Sequence, residues 1–92
     1  MQTEFYCGID LHSNNSYVAI IDSEDRVIYK RRLENRLELI LEEFEPFRER
    51  IVSVAVKSTF NWYWLVDGLM TAGYEVDLEH LEGQAVRRTQ AH

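Results

Sequence analysis

The chain has 92 residues, a length that predicts one small domain with a single hydrophobic core. Hydrophobic residues make up 46% of it, which excludes a disordered polar chain, and its net charge of -6 argues against a free-standing nucleic-acid binder. The one cysteine, Cys7, has no partner for an internal disulfide, and no apolar run is long enough to span a membrane. We therefore expect a cytoplasmic protein without membrane contact, in which any nucleic-acid role depends on local basic patches or on partners.

The first third of the chain predicts three strands joined by short turns. The run Phe5–Leu11 is nearly uncharged and precedes the turn formers of His12–Asn15, so we expect a buried first strand. The segments Ser16–Asp22 and Arg26–Leu33 are rich in β-branched and aromatic residues, with the polar turn Ser23–Asp25 between them. Three consecutive strands with such short connections predict an antiparallel meander.

Helical periodicity begins after the meander. Apolar residues recur at the spacing of one helix face at Leu37, Ile40, Leu41 and Phe44. Asn35, followed three residues later by Glu38, has the pattern of a capping box, which predicts that its side chain caps this helix. Pro46 disfavours helical geometry at the residue before it, so we expect the helix to stop or bend there.

A strand, a helix and a further strand complete the predicted elements. The nearly continuous apolar run Ile51–Val56 is typical of a central strand covered on both faces. A second helical stripe runs over residues 62–70, and Gly73 suits the left-handed position after its end. Alternating apolar and acidic residues over 74–78 predict a half-buried strand.

The order βββαβαβ predicts an α/β fold with the mixed sheet of RNase H-like proteins, although several α+β folds share parts of this order. We expect residues 1–81 to form this domain and residues 82–92 to form a polar tail, disordered or foreign to the fold. In such a sheet the first and fourth strands are parallel neighbours. The topology therefore predicts that Asp10 and Lys57 lie side by side.

Asp10 ends a predicted apolar strand beside a turn. A carboxylate there can bind Mg²⁺ together with waters and phosphate. The same position also suits a strand-end aspartate that caps the turn over residues 12–15. The spacing alone leaves both interpretations open.

Two longer segments resemble the amino-terminal catalytic domain of DEDD-type insertion-sequence transposases. They are Tyr6–Asp22, which contains the Gly-Ile-Asp ending at Asp10, and Val54–Leu69, which continues to Gly73-Tyr74. By inspection the resemblance covers about the first four-fifths of the chain. It implies a RuvC-like RNase H fold, a centre of four acids that uses Mg²⁺ for DNA transposition and recombination, oligomeric assembly, and a structured guide RNA that brings donor and target DNA together.

The resemblance assigns Asp10 as the first of the four acids. The second, a glutamate, falls in the segment Val56-Lys57-Ser58-Thr59, where Lys57 reverses the charge. The last two acids belong to a downstream motif, for which residues 82–92 offer no counterpart. We therefore expect a truncated amino-terminal fragment, ending before the carboxyl-terminal helices, that is catalytically inactive and binds no Mg²⁺ tightly. Lys57 is expected either to form a salt bridge with Asp10 or to point into solvent.

Five further residues are candidates for nucleic-acid contact: Lys30, Arg31, Arg32, Tyr63 and Trp64. The basic residues could contact phosphates or form a solvated strand end, and the aromatic residues could stack on bases or take part in packing or oligomer contact. Cys7 lies in an apolar strand, which predicts an unreactive thiol with a raised pKa.

Two other functions stand beside an inactive transposase domain. The chain could be a non-catalytic binding or assembly module for transposase subunits or guide RNA, and uncovered apolar surface would then favour a homo-oligomer. It could also be a fragment of an actin-like ATPase, since those proteins begin with a similar Gly-Ile-Asp. Their phosphate loops are rich in glycine, however, and residues 12–15 contain none.

Overall fold

The structure, a computed structural model, describes residues 3–58, 61–80 and 86–89. The elements are β1 Phe5–Leu11, β2 Asn15–Asp22, β3 Val27–Glu34, α1 Leu37–Phe44, β4 Ile51–Ser58, α2 Tyr63–Thr71, β5 Val76–His80 and β6 Val86–Thr89, with a 3-10 helix over Glu45–Arg50 between α1 and β4. No described helix has both the length and the apolar character needed to cross a membrane.

The described strands form one mixed sheet in the order β3-β2-β1-β4-β5-β6. β1, β2 and β3 pair antiparallel, which confirms the predicted meander. β4 lies beside β1 and parallel to it, and β5 lies parallel to β4, because each of these connections passes through a helix. Asp10 and Lys57 are therefore direct cross-strand partners, as the topology predicted.

One face of the sheet carries the hydrophobic core, and both helices pack against it. Side chains along β1 alternate between buried and more exposed positions, as expected for a strand with one covered face. The core joins Ile9, Val18 and Val54 of the strands to Ile40 and Phe44 of α1 and to Leu65 and Leu69 of α2. We call this side of the sheet the covered face.

The opposite side of the sheet is exposed in the part of the chain that the structure describes. We call it the open face, and its side chains are Tyr6, Gly8 and Asp10 of β1, Tyr17 and Ala19 of β2, Lys30 and Arg32 of β3, Ala55 and Lys57 of β4, and Glu79 of β5. The expected buried first strand is therefore buried on one face only, and the expectation that β4 is covered on both faces is wrong. Gly8 and Ala55 make these runs apolar in sequence, yet both residues lie on the open face.

The chain enters α1 without the predicted capping box. Arg36 is the N-cap residue, and no side-chain hydrogen bond caps the first turn. The Asn35 side chain instead accepts a hydrogen bond from Ser16 Oγ at 2.7 Å and donates one to the His12 carbonyl at 2.7 Å. The prediction was wrong because these tertiary partners satisfy Asn35 in place of the helix amides.

Pro46 and Gly73 act as the sequence predicts. α1 ends at Phe44, and Pro46 lies at the start of the 3-10 helix that follows. Gly73 follows α2 with a φ of 104°, a left-handed conformation that side chains disfavour. Its amide donates a hydrogen bond to the Met70 carbonyl at 3.0 Å, which satisfies one of the free carbonyls at the helix end.

β6 lies inside the segment that the sequence predicts as a polar tail. Val86–Thr89 pairs antiparallel with β5, so this part of the segment extends the sheet. The predicted domain boundary between residues 81 and 82 lies outside the described residues.

Candidate functional site

Asp10 lies near the carboxyl end of β1, on the open face. Its cross-strand partners are Tyr17 on β2 and Lys57 on β4. Its side chain is 48% exposed, so the carboxylate is accessible to solvent and to ligands. The next residue in the same cross-sheet row is Glu79, the partner of Lys57 on β5.

His12 is the basic side chain that lies near the Asp10 carboxylate, and it forms an ion pair there only when its imidazole is protonated. Asp10 Oδ2 lies 3.5 Å from His12 Nε2, and the His12 side chain is 58% exposed. Among the described residues, the predicted salt bridge between Asp10 and Lys57 is not formed within 4.0 Å. Lys57 is exposed, because its long apolar stem lets the ammonium group stay in water even where the backbone is adjacent to a carboxylate.

A small hydrogen-bond network fixes the turn that carries His12. The His12 amide donates to the Asn15 carbonyl at 3.0 Å, and Asn35 joins the His12 carbonyl to the hydroxyl of Ser16. Ser16 is fully buried, so its hydroxyl depends on this partner. Asn35 is therefore a positioning residue for the Asp10 edge. Sequence reasoning missed this role because residues 12 and 16 are remote from position 35 along the chain.

The described residues around Asp10 do not fit a pair of divalent cations. No group of three or more histidine, cysteine, aspartate or glutamate side chains is placed to hold a metal ion in the described part of the chain. Asp10 and His12 form a pair of potential ligands, whereas two-metal phosphoryl chemistry needs several carboxylates around both ions. At the position next to Asp10, Lys57 presents a cation in place of a ligand.

The three predicted basic contacts separate onto the two faces of β3. Lys30 borders the open face together with Gly8 and Asp10, and the Arg32 guanidinium lies 5.2 Å from the ring centroid of Tyr17. Arg31 instead contacts Glu43 of α1, with 3.3 Å between Nη1 and Oε1. This separation arises because successive side chains of a strand point to opposite faces of the sheet. It could therefore be predicted from the consecutive positions of the three residues.

A shallow depression of about 490 Å³ lies on the open face. Its floor consists of the small residues Gly8, Ala19 and Ala55, which occupy one cross-strand row of β1, β2 and β4. A methyl group added at Gly8 would meet no atom within 4 Å. A planar or slender ligand can therefore approach the backbone of the sheet closely at this row.

The two predicted aromatic contacts lie elsewhere. Tyr63 of α2 is 68% exposed and stacks on Trp62, with ring centroids 4.2 Å apart. Trp64 is half-buried and packs against the core, so the packing interpretation holds for it. Because α2 packs on the covered face, neither side chain shares a surface with Asp10.

Cys7 takes no part in the site. Its side chain is buried in the core, and this burial raises the pKa of the thiol. A buried neutral thiol is a poor nucleophile, as the sequence predicted.

Comparison with known proteins identifies the fold. No protein-family model matches the chain, and no curated protein matches it either. Among solved structures, the chain is similar to Marinitoga piezophila Argonaute in complex with 5' OH guide RNA, with a TM-score of 0.50 and 19% sequence identity. The match covers 82% of this chain and 16% of the Argonaute chain. The mixed sheet with its two described helices is therefore an α/β fold of the RNase H-like type.

Proposed function

We propose that this chain is an RNase H-like domain of the DEDD-transposase type that does not catalyse strand exchange at Asp10 and acts by binding. The observation that carries the proposal is the register of β1 and β4. It places Lys57 directly beside Asp10, where the transposases that the sequence resembles have their second acid.

Loss of a ligand weighs more here than charge repulsion. The Lys57 ammonium and a divalent cation about 4 Å apart would repel each other by about 2 kcal/mol in bulk water and about 8 kcal/mol at an effective dielectric constant of 20. Asp10 and Lys57 are both accessible to solvent, so the lower figure applies. A divalent cation would also need oxygen ligands that Lys57 cannot supply, and that deficit persists at any salt concentration.

Isothermal titration with Mg²⁺ and Mn²⁺ tests the proposed loss of catalysis. We expect the wild-type chain and Asp10→Asn to give the same weak, non-specific heats. Tight binding of two ions by the wild type, abolished in Asp10→Asn, would overturn the proposal.

Nucleic acid is the partner that the exposed residues favour. The similar Argonaute was solved with a guide RNA. In this chain, Lys30 and Arg32 form no ion pair with another described residue. Lys30 borders the depression on the open face, and Arg32 lies beside the exposed ring of Tyr17. Because the net charge is -6, such binding would depend on these local groups and would be sensitive to salt. DNA and RNA are both possible ligands, and a binding experiment should measure each of them separately.

Self-association is a second candidate role, favoured by the exposed edge of the sheet. β3 is an outer strand of the described sheet, and its Val27 and Ile28 are 59% and 39% exposed. Apolar residues on a free strand edge promote pairing with a second copy. Sedimentation velocity should show concentration-dependent dimers that Val27→Lys abolishes. Val52→Lys, at an exposed valine of β4, is the matched control. A clean monomer at high concentration would contradict this role.

A further inference from the structure

We propose that the β1–β3 part of the open face binds a single-stranded nucleic acid, with Tyr6 and Tyr17 as stacking platforms and Lys30 and Arg32 as phosphate contacts. The inference rests on the proposed binding function and names its surface. It places the contact on the side of the sheet opposite to the helices, away from Tyr63 and Trp64.

Two tyrosines present their rings on this part of the sheet. Tyr17 is 42% exposed and Tyr6 is 36% exposed. Tyr17 is the cross-strand partner of Asp10, so Tyr6 lies four residues away along β1, or about 13 Å at the usual rise of a strand. Every base has a flat face, so rings spaced along a sheet can stack on successive or alternate bases without sequence preference.

The basic groups lie where they can contact the backbone of a stacked strand. Arg32 lies over the Tyr17 ring at 5.2 Å, and Lys30, two residues away along β3, lies opposite Ala19. In the same strand Arg31 contacts Glu43 on the covered face, so its charge is already matched. The open face therefore holds two cations beside Tyr17, and a base that stacks on the ring face under Arg32 must displace its guanidinium toward the phosphates.

The acidic groups limit the surface to one half of the sheet. Asp10 of β1 and Glu79 of β5 line the depression in one cross-strand row with Lys57 between them, and Glu4 accepts a hydrogen bond from the Tyr6 hydroxyl at 3.2 Å. Carboxylates repel phosphates, so the backbone of a bound strand should run over β2 and β3. The small floor at Gly8 and Ala19 leaves room for a sugar or a base between the basic and acidic sides.

The chemistry favours a single strand over a duplex. In a duplex the bases are already stacked on one another, and a flat sheet face cannot reach between them. Exposed tyrosines on a shallow floor can contact only bases that are free to unstack. Asp10, with one carboxylate oxygen turned toward His12, can also accept hydrogen bonds from base amino groups or from a ribose hydroxyl.

Fluorescence anisotropy on the full chain tests the surface. The probes are labelled oligo-U RNA, oligo-dT DNA and a mixed-sequence duplex. Each strand is about 16 nucleotides long, which is the upper end of the site size of a single OB-fold domain. We expect Tyr17→Ala to weaken single-strand binding about tenfold. Lys30→Gln and Arg32→Gln should each lower the slope of log affinity against log salt by about 0.7. Arg31→Gln removes the same charge from the other face of β3 and should change the affinity less than about twofold.

The outcomes separate this surface from the binding function itself. Absence of binding by the wild type to all three probes overturns both. Binding that falls equally in Arg31→Gln, Lys30→Gln and Arg32→Gln overturns the surface and leaves nucleic-acid binding standing. Preference for the duplex overturns the single-strand assignment. If Tyr17→Ala changes sedimentation but not anisotropy, the open face is a protein interface and the inference is wrong. Circular dichroism melts confirm that each variant is folded.

Discussion

Asp10 and Lys57 are direct cross-strand partners on β1 and β4, yet Asp10 Oδ2 contacts His12 Nε2 at 3.5 Å and forms no ion pair with the lysine. Parallel pairing fixes the adjacency of the two backbones, whereas the exposed lysine stem leaves its charge in water. Lys57 therefore supplies neither a metal ligand nor a salt bridge to Asp10.

Asn35→Ala should destabilise the fold and loosen the turn beside Asp10. It removes the acceptor of the buried Ser16 hydroxyl and the donor to the His12 carbonyl. Leaving a buried polar group unsatisfied costs about 1–3 kcal/mol, so we expect a loss of that size in the free energy of unfolding. Urea unfolding measures it. Asn14→Ala, at an exposed position of the same turn, is the control, and equal effects of the two variants would contradict the positioning role.

Gly68→Ala should have two opposing effects on stability, a gain in helix propensity and a loss from steric overlap with a neighbouring side chain. Alanine is favoured over glycine inside a helix by about 1 kcal/mol. A Cβ at Gly68 would lie 2.9 Å from Leu37 Cγ and closer still to both methyl carbons, and overpacking of this kind costs about 1–3 kcal/mol. We therefore expect a net destabilisation of about 1 kcal/mol in urea unfolding.

The neighbouring leucine supplies the control for that prediction. In a Leu37→Ala background the contact is gone, so Gly68→Ala should stabilise the protein. Destabilisation of the same size in both backgrounds would show that Leu37 does not set the cost.

Asp22 should stabilise the fold only where it is ionised. Its Oδ1 accepts hydrogen bonds from the amides of Arg26 at 3.0 Å and Glu24 at 2.9 Å, and its Oδ2 contacts Arg26 Nε at 2.9 Å. The hydrogen bond from the Arg26 amide is the largest cause that lowers the pKa of Asp22, and it outweighs the burial that raises it. The contribution is therefore complete above the unfolded-state pKa of about 3.9 and is lost as the pH falls through the lower folded-state pKa.

Urea unfolding of the wild type and Asp22→Asn at about pH 7 and about pH 3 checks the sign of this effect. The difference in free energy of unfolding between the two proteins should shrink at the acid pH, because Asp22 of the unfolded wild type then binds protons more readily than Asp22 of the folded protein, whose pKa is lower. A difference that grows on acidification would be the opposite of what these hydrogen bonds imply.

Much of the fold follows from the sequence because its patterns are local. Alternation and turn residues predict the meander, Pro46 and Gly73 mark the ends of the helices, and the topology predicts that Asp10 and Lys57 are adjacent. The separation of Arg31 from Lys30 and Arg32 follows from the same alternation. The alternation does not tell which of the two faces is covered, because that requires knowing on which side of the sheet one residue of the strand is buried.

Other features depend on contacts that no local pattern encodes. The roles of Asn35 arise from a turn between the first two strands, which is remote from position 35 along the chain. The two-residue spacing of Asp10 and His12 allows both side chains to face one side, but their 3.5 Å separation depends on side-chain rotamers at an exposed edge. The open face escaped prediction because Gly8 and Ala55 give an apolar sequence whether or not another layer covers them.

Electron paramagnetic resonance of Mn²⁺ in the presence of wild type, Lys57→Gln and Lys57→Glu tests most directly the proposal that Asp10 holds no metal ion because Lys57 lies beside it. Lys57→Gln removes the charge, whereas Lys57→Glu also places a carboxylate ligand beside Asp10. We expect only Lys57→Glu to bind Mn²⁺, and Asp10→Asn to abolish that binding. Binding of Mn²⁺ by the wild type that Asp10→Asn abolishes would contradict the proposal that Lys57 has ended metal chemistry at this site.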